Sequence, residues 1–196
     1  MQFKHLGKYA PLMFKRKFLD LIYKATRIKP NELRATLLSF GFVFLLMTAY
    51  FILRPLRDAM SSDWSDPELS WLWTSTFFFS FIAVTLYSAI ISRVKLKYVV
   101  PGVYIFFSLS FISFYLFAKV IPDPDFLNKC FYVWLSVFSL FHVSVFWSFI
   151  SNLFSTEQAP RLFSFIASGA SIGAIIGPAI PIIFAGDLGV MNLLLI

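Results

Sequence analysis

Residues 71–91 read WLWTSTFFFSFIAVTLYSAII, a run of 21 positions without one charged side chain. A helix rises about 1.5 Å per residue, so about 20 apolar residues cross the roughly 30 Å hydrocarbon core of a bilayer. This run has that length. Trp71 and Trp73 sit at one end of it, and Tyr98 and Tyr132 near the ends of later runs, where amphipathic rings favour the membrane–water boundary. Working outward, comparable runs occupy about 35–53, 98–118, 130–154 and 162–185, and the start of a sixth lies at 188–196. A single such run would fit a buried core helix, but repetition with polar punctuation predicts an all-α, polytopic bundle of membrane helices over 35–196.

Composition agrees with that class. The chain is 59% hydrophobic and 14% charged, against roughly 25% charged in soluble domains. The net charge of +7 does not point to nucleic acid, because nine of the seventeen Lys and Arg lie in residues 1–34. In that leader Phe14, Phe18, Leu21, Ile22 and Ala25 recur at helical spacing opposite Lys15, Arg16, Lys17 and Lys24. The pattern predicts an amphipathic helix on an anionic leaflet; the alternative is a flexible basic segment that only fixes topology. Pro30, Asn31 and Glu32 supply a helix start. The first apolar run is too long for a signal-peptide core and has no small-residue cleavage pattern, so it reads as a retained first span. The last run ends after about two turns, which reads as a chain stopping inside a sixth helix.

Loop charge gives the expected orientation. Cations cluster in the leader, at Arg93, Lys95 and Lys97, and at Arg161. The alternate loops carry Asp58, Asp63, Asp66 and Glu68, then Asp123 and Asp125, then Asp187. Lys and Arg concentrate on the cytoplasmic side, so a cytoplasmic amino terminus in a bacterial inner membrane is expected.

Soluble-enzyme signatures are absent: no glycine-rich phosphate loop, no metal-ligand spacing, and no nucleophile paired with a base. Cys130 is the lone cysteine and forms no internal disulfide or thiol cluster. No catalysis, cofactor or metal is expected. Three features remain. Arg54 and Arg57, followed by Asp58, lie three apart at the far end of the first run and would share one helical face, where two guanidinium forks suit phosphate or carboxylate oxygens. The alternative has both snorkel to the interface or pair with Asp58 and Asp63, and Pro55 between them leaves helical continuity open. His142, mid-span, is a coupling group for protons or a neutral histidine bonded to a neighbouring helix. Gly169, Gly173 and Gly177, ending in Pro178, form a stripe of small residues that serves as a packing seam or a moving hinge. Phe131, Trp134, Phe138 and Phe141 also share a face, to pack against neighbours or stack a flat ligand.

Two blocks resemble the ATP/ADP antiporter (nucleotide translocase) family of major-facilitator-like transporters. Tyr50-Phe51-Ile52-Leu53-Arg54-Pro55-Leu56-Arg57-Asp58 is similar to the family's first-helix pattern, with Arg54 at its arginine and Arg57 where the family has a lysine implicated in nucleotide transport. Val143 to Phe149, Glu157, Arg161-Leu162-Phe163 and the glycine stripe resemble its fourth helix, loop and fifth helix. The family's acidic residue on the fourth helix has no counterpart near Trp134 and Leu135, and the facilitator loop signature is reduced to Arg93, Lys95 and Lys97. The resemblance implies the amino-terminal half of a major-facilitator-type fold. It implies ATP:ADP antiport, or transport of another anionic solute by alternating access, with a carboxy-terminal half as partner and Arg54, Arg57 and Asp58 at the substrate. The alternatives are a proton-coupled carrier of another solute using His142, and a non-transporting membrane scaffold.

Overall fold

The computed structural model describes residues 28–121 and 125–188, with side chains as far as Ile183. Most of the basic leader, the loop bearing Asp123, the side chain of Asp187 and nearly all of the expected sixth run lie outside the described residues. Five helices follow one another: α1 Leu33–Met60, α2 Asp66–Ile91, α3 Leu96–Val120, α4 Asp125–Leu153 and α5 Ala159–Leu188. All five are long and apolar enough to cross a membrane, consistent with a multi-pass membrane protein. The described residues contain no strand.

Each helix outruns its apolar segment. The first run, expected to stop at Leu53, continues as helix through Pro55 to Met60. Proline removes one backbone donor and crowds the carbonyl four residues earlier, but Ile52, Leu53 and Leu56 around it are buried, and that packing holds the turn. The second helix starts at Asp66 rather than Trp71. The Ser65 amide and hydroxyl both donate to the Glu68 carboxylate, at 2.9 and 2.8 Å, and Pro67 in the first turn suits its fixed φ. Polar caps extend helices beyond the stretch that hydropathy can mark.

Side-chain contacts fix the directions. From α1 to α5, Glu32 meets Arg161, Phe40 meets Phe165, and the backbones of Phe44 and Thr48 approach Gly173 and Gly177; position rises along both helices, so they run parallel. The pair α2 and α4 is also parallel, with Trp64 on Asp125, Glu68 on Lys129, Trp73 on Tyr132 and Tyr87 on Phe141. In contrast, Tyr104 meets His142, Phe107 meets Phe138, and Phe111 meets Phe131, so α3 and α4 are antiparallel. The α1–α4 pair is antiparallel too, through Phe42 with Phe146 and Tyr50 with His142. Helix α4 touches all four others, meeting α5 through Trp147 and Phe163, and Leu135, Val145, Phe146 and Ile150 on it are fully enclosed.

The aromatic stripe of α4 and Tyr132 pack inside the bundle. Phe131, Phe138 and Phe141 are buried against α3, and the partly buried Trp134 donates its indole N–H to Ser110 Oγ at 2.7 Å. Tyr132 is buried: its hydroxyl accepts from the Trp73 indole at 3.0 Å and its ring lies under Arg57. Trp71, Trp73 and Tyr98 remain exposed. On α2, Phe77, Phe78, Phe79 and Phe81 are also exposed, and Ser80 is its one buried residue. A face this apolar suits lipid or another helix rather than water.

Candidate functional site

Polar side chains gather where the carboxy-terminal part of α1 lies against α4. On α4, Lys129, Tyr132, Ser136, Ser139 and His142 recur every three or four residues, the spacing that puts them on one face. Arg57 reaches this face from α1. Its Nη1 donates to Ser136 Oγ at 3.2 Å, its guanidinium stands 5.2 Å from the Tyr132 ring centre, and Nε and Nη2 both donate to Asp58 Oδ1, at 3.0 and 2.7 Å. Its side chain is only 16% exposed. Arg54 is half exposed, lies over the Phe51 ring, and faces Asp58 Oδ2 at 3.7 Å. One carboxylate thus sits between two guanidinium groups, leaving the trio one formal positive charge in excess. Asp58 fills the Nε–Nη2 edge of Arg57, so an anion taking that edge displaces the carboxylate.

Half a bundle deeper, His142 is 1% exposed and lies between the Tyr50 ring, 4.6 Å away, and the Phe138 ring, 5.0 Å away. Its Nδ1 is 3.1 Å from the Phe138 carbonyl. A carbonyl only accepts, so Nδ1 carries the proton and Nε2 presents a lone pair. That buried Nε2 has no hydrogen-bond partner. Leaving a buried polar atom unpaired costs about 1–3 kcal/mol.

The glycine stripe serves the scaffold of this site. Gly169, Gly173 and Gly177 face α1 so closely that a Cβ would stand 2.7 Å from the Phe40 carbonyl oxygen, 2.6 Å from the Phe44 carbonyl oxygen and 2.6 Å from Phe51 Cβ, respectively. Helix α5 continues through Pro178 and Pro181. The stripe is the seam between α5 and the helix that carries the arginines.

Sequence reading missed the partners. Ser136 was not singled out in the sequence and Tyr132 only as an aromatic near a helix end; nothing local paired either with Arg57. Glu32, read only as part of a helix start, is a buried carboxylate at the other end of the bundle. It accepts from the Lys29 amide at 3.0 Å, from Gln158 at 3.0 Å, and from both terminal nitrogens of Arg161 at 3.1 and 3.3 Å. It ties the start of α1 to the start of α5. The Lys29 amide, opposed by burial and helped by Arg161 and Gln158, holds its carboxyl down from 4.5 to about 2. A depressed carboxyl stabilises the fold above its unfolded pKa, and that contribution is lost as pH falls through the folded value. Purified protein should therefore lose thermal stability between about pH 4.5 and pH 2. Glu32→Gln should melt lower at pH 7 and converge on the parent in acid; parallel melting curves at all pH values would refute the coupling.

Among the described residues no cluster of metal-ligating side chains occurs. No protein-family model, curated protein or solved structure matches the chain.

Proposed function

We propose that this bundle is one half of an alternating-access membrane carrier, in which Arg54 and Arg57 engage a nucleotide or another anionic solute after it displaces Asp58. The observation that carries the reading is the Arg57 guanidinium, drawn onto the polar face of α4 at the end of a membrane-length helix. An arginine at a helix end can snorkel to the interface, but this one is drawn inward, 16% exposed and bonded to Ser136 of α4. The helix arrangement supports the same reading. Exchanging α1 with α4 and α2 with α5 maps one parallel pair onto the other with the direction reversed. Inverted repeats of this kind build major-facilitator halves, with substrate held between repeats near the midplane. The exposed apolar helices would face lipid and a second bundle that closes the cavity, with the amino terminus cytoplasmic and the membrane a bacterial inner membrane.

The test is uptake of radiolabelled ATP and ADP by intact cells producing the protein together with its second bundle, compared with empty cells. Accumulation that unlabelled nucleotide outside competes away is expected. Uptake at the level of empty cells, with the protein verified in the membrane, would sink the nucleotide assignment.

The unpaired Nε2 of His142 favours a second reading, a carrier driven by protons. There His142→Gln should flatten the dependence of solute uptake on external pH, because glutamine keeps the polarity but does not titrate. An unchanged pH profile would remove His142 from the coupling path.

A further inference from the structure

Helices α2 and α3 both pack on α4 but make few contacts with each other. Between them lies a groove of about 550 Å³, walled by residues such as Ile82, Leu86 and Ile90 of α2 and Val99 and Phe106 of α3, with Trp134 in its floor. Its α2 wall runs from Phe79 to Ile90, which at 1.5 Å per residue is about 16 Å. One leaflet contributes about 15 Å of hydrocarbon, so the groove has the depth of a single leaflet. A hydrocarbon chain is narrow enough to enter it.

The groove ends at Val94 and Tyr98, where the loop with Arg93 and Lys95 passes into the first turn of α3 with Lys97. No acidic residue occurs between Glu68 and Asp123, and among the described residues none of these three cations forms an ion pair. The Lys97 ammonium sits 4.8 Å from the centre of the Tyr98 ring, at the mouth. Gly102 lines the wall, and a Cβ there would meet nothing within 4 Å. An apolar slot one leaflet deep, with unneutralised cations at its headgroup end, is complementary in length and charge to an anionic lipid. We infer that the α2–α3–α4 groove binds the acyl chain of an anionic phospholipid whose phosphate is held by Arg93, Lys95 and Lys97. Basic pockets between membrane helices recognise such headgroups.

The floor tryptophan provides the probe. A chain retaining Trp134 alone, with Trp64, Trp71, Trp73 and Trp147 changed to Phe, is reconstituted in phosphatidylcholine vesicles. Phosphatidylglycerol or phosphatidylcholine carrying brominated acyl chains is then added as quencher. Half-maximal quenching should need about a tenfold lower mole fraction of the anionic lipid. Arg93→Gln with Lys95→Gln and Lys97→Gln should erase that preference while leaving quenching itself, and Gly102→Phe should block quenching by both lipids. Equal quenching by the two lipids in the parent, or quenching unaffected by Gly102→Phe, overturns the inference. If the single-tryptophan chain does not fold, native mass spectrometry of the otherwise unaltered protein replaces it. One phosphatidylglycerol retained by the parent and lost in Gly102→Phe supports the site, and indiscriminate or unchanged adducts overturn it.

Discussion

Gly173→Ala should leave much less folded protein than Gly41→Ala, although both add one methyl to a glycine of a membrane-length helix. At Gly41 an added Cβ would meet nothing within 4 Å, and alanine is the better helix former by about 0.5–1 kcal/mol, so that variant should equal or exceed the parent. At Gly173 the same atom would stand 2.6 Å from the Phe44 carbonyl oxygen and 3.0 Å from the Thr48 amide nitrogen. Both are backbone atoms that no rotamer change can move, so α1 and α5 must separate. The Thr48 hydroxyl, bonded to the Phe44 carbonyl at 2.7 Å, lies in the same contact. Overpacking costs about 1–3 kcal/mol, and separation also forfeits close backbone contacts worth up to about 1 kcal/mol each. Gly173→Leu should not accumulate as folded protein. Membrane abundance and thermal unfolding in detergent measure both effects. Equal stability of Gly173→Ala and Gly41→Ala would mean that α1 and α5 do not meet as described.

That seam also marks how far the sequence could be read. Five apolar runs were legible because crossing a bilayer demands a length and a polarity that few other structures need. The four-residue glycine spacing was legible as a contact stripe, but its partner was not, since any helix backbone fits against glycine. The same limit hid the site. Arg54, Arg57 and Asp58 stood out as charges beside an apolar run, whereas Ser136 and Tyr132 are ordinary residues until α4 is laid antiparallel to α1. Glu32 and Arg161 are separated by most of the chain, and only the parallel course of α1 and α5 makes them neighbours. Tyr132 is a further case: nothing near it in the sequence names Trp73 as the partner of its hydroxyl.

Arg57→Ala should reduce uptake of the anionic solute about ten- to a hundredfold at matched membrane abundance, since a hydrogen bond to a charged group contributes about 1.5–3 kcal/mol and each 1.4 kcal/mol is tenfold. Arg57 also packs on Tyr132 and bonds Ser136, so lost uptake alone does not separate solute binding from support of the helix pair. Arg57→Met keeps most of the apolar stem and removes the charge; it should restore stability and leave uptake lost. Arg57→Lys keeps the charge but not the two-pronged donor, and should retain part of the activity with a raised KM. Asp58→Asn supplies the opposite sign. Its carboxylate occupies the Arg57 fork at 2.7 Å, so removing that charge eliminates the competitor the solute must displace. The apparent KM for the anion should fall, and release on the far side should slow, lowering the maximal rate. If Arg57→Met transports like the parent, or Asp58→Asn leaves both constants unchanged, the guanidinium pair is a structural clasp between α1 and α4 and the solute binds elsewhere.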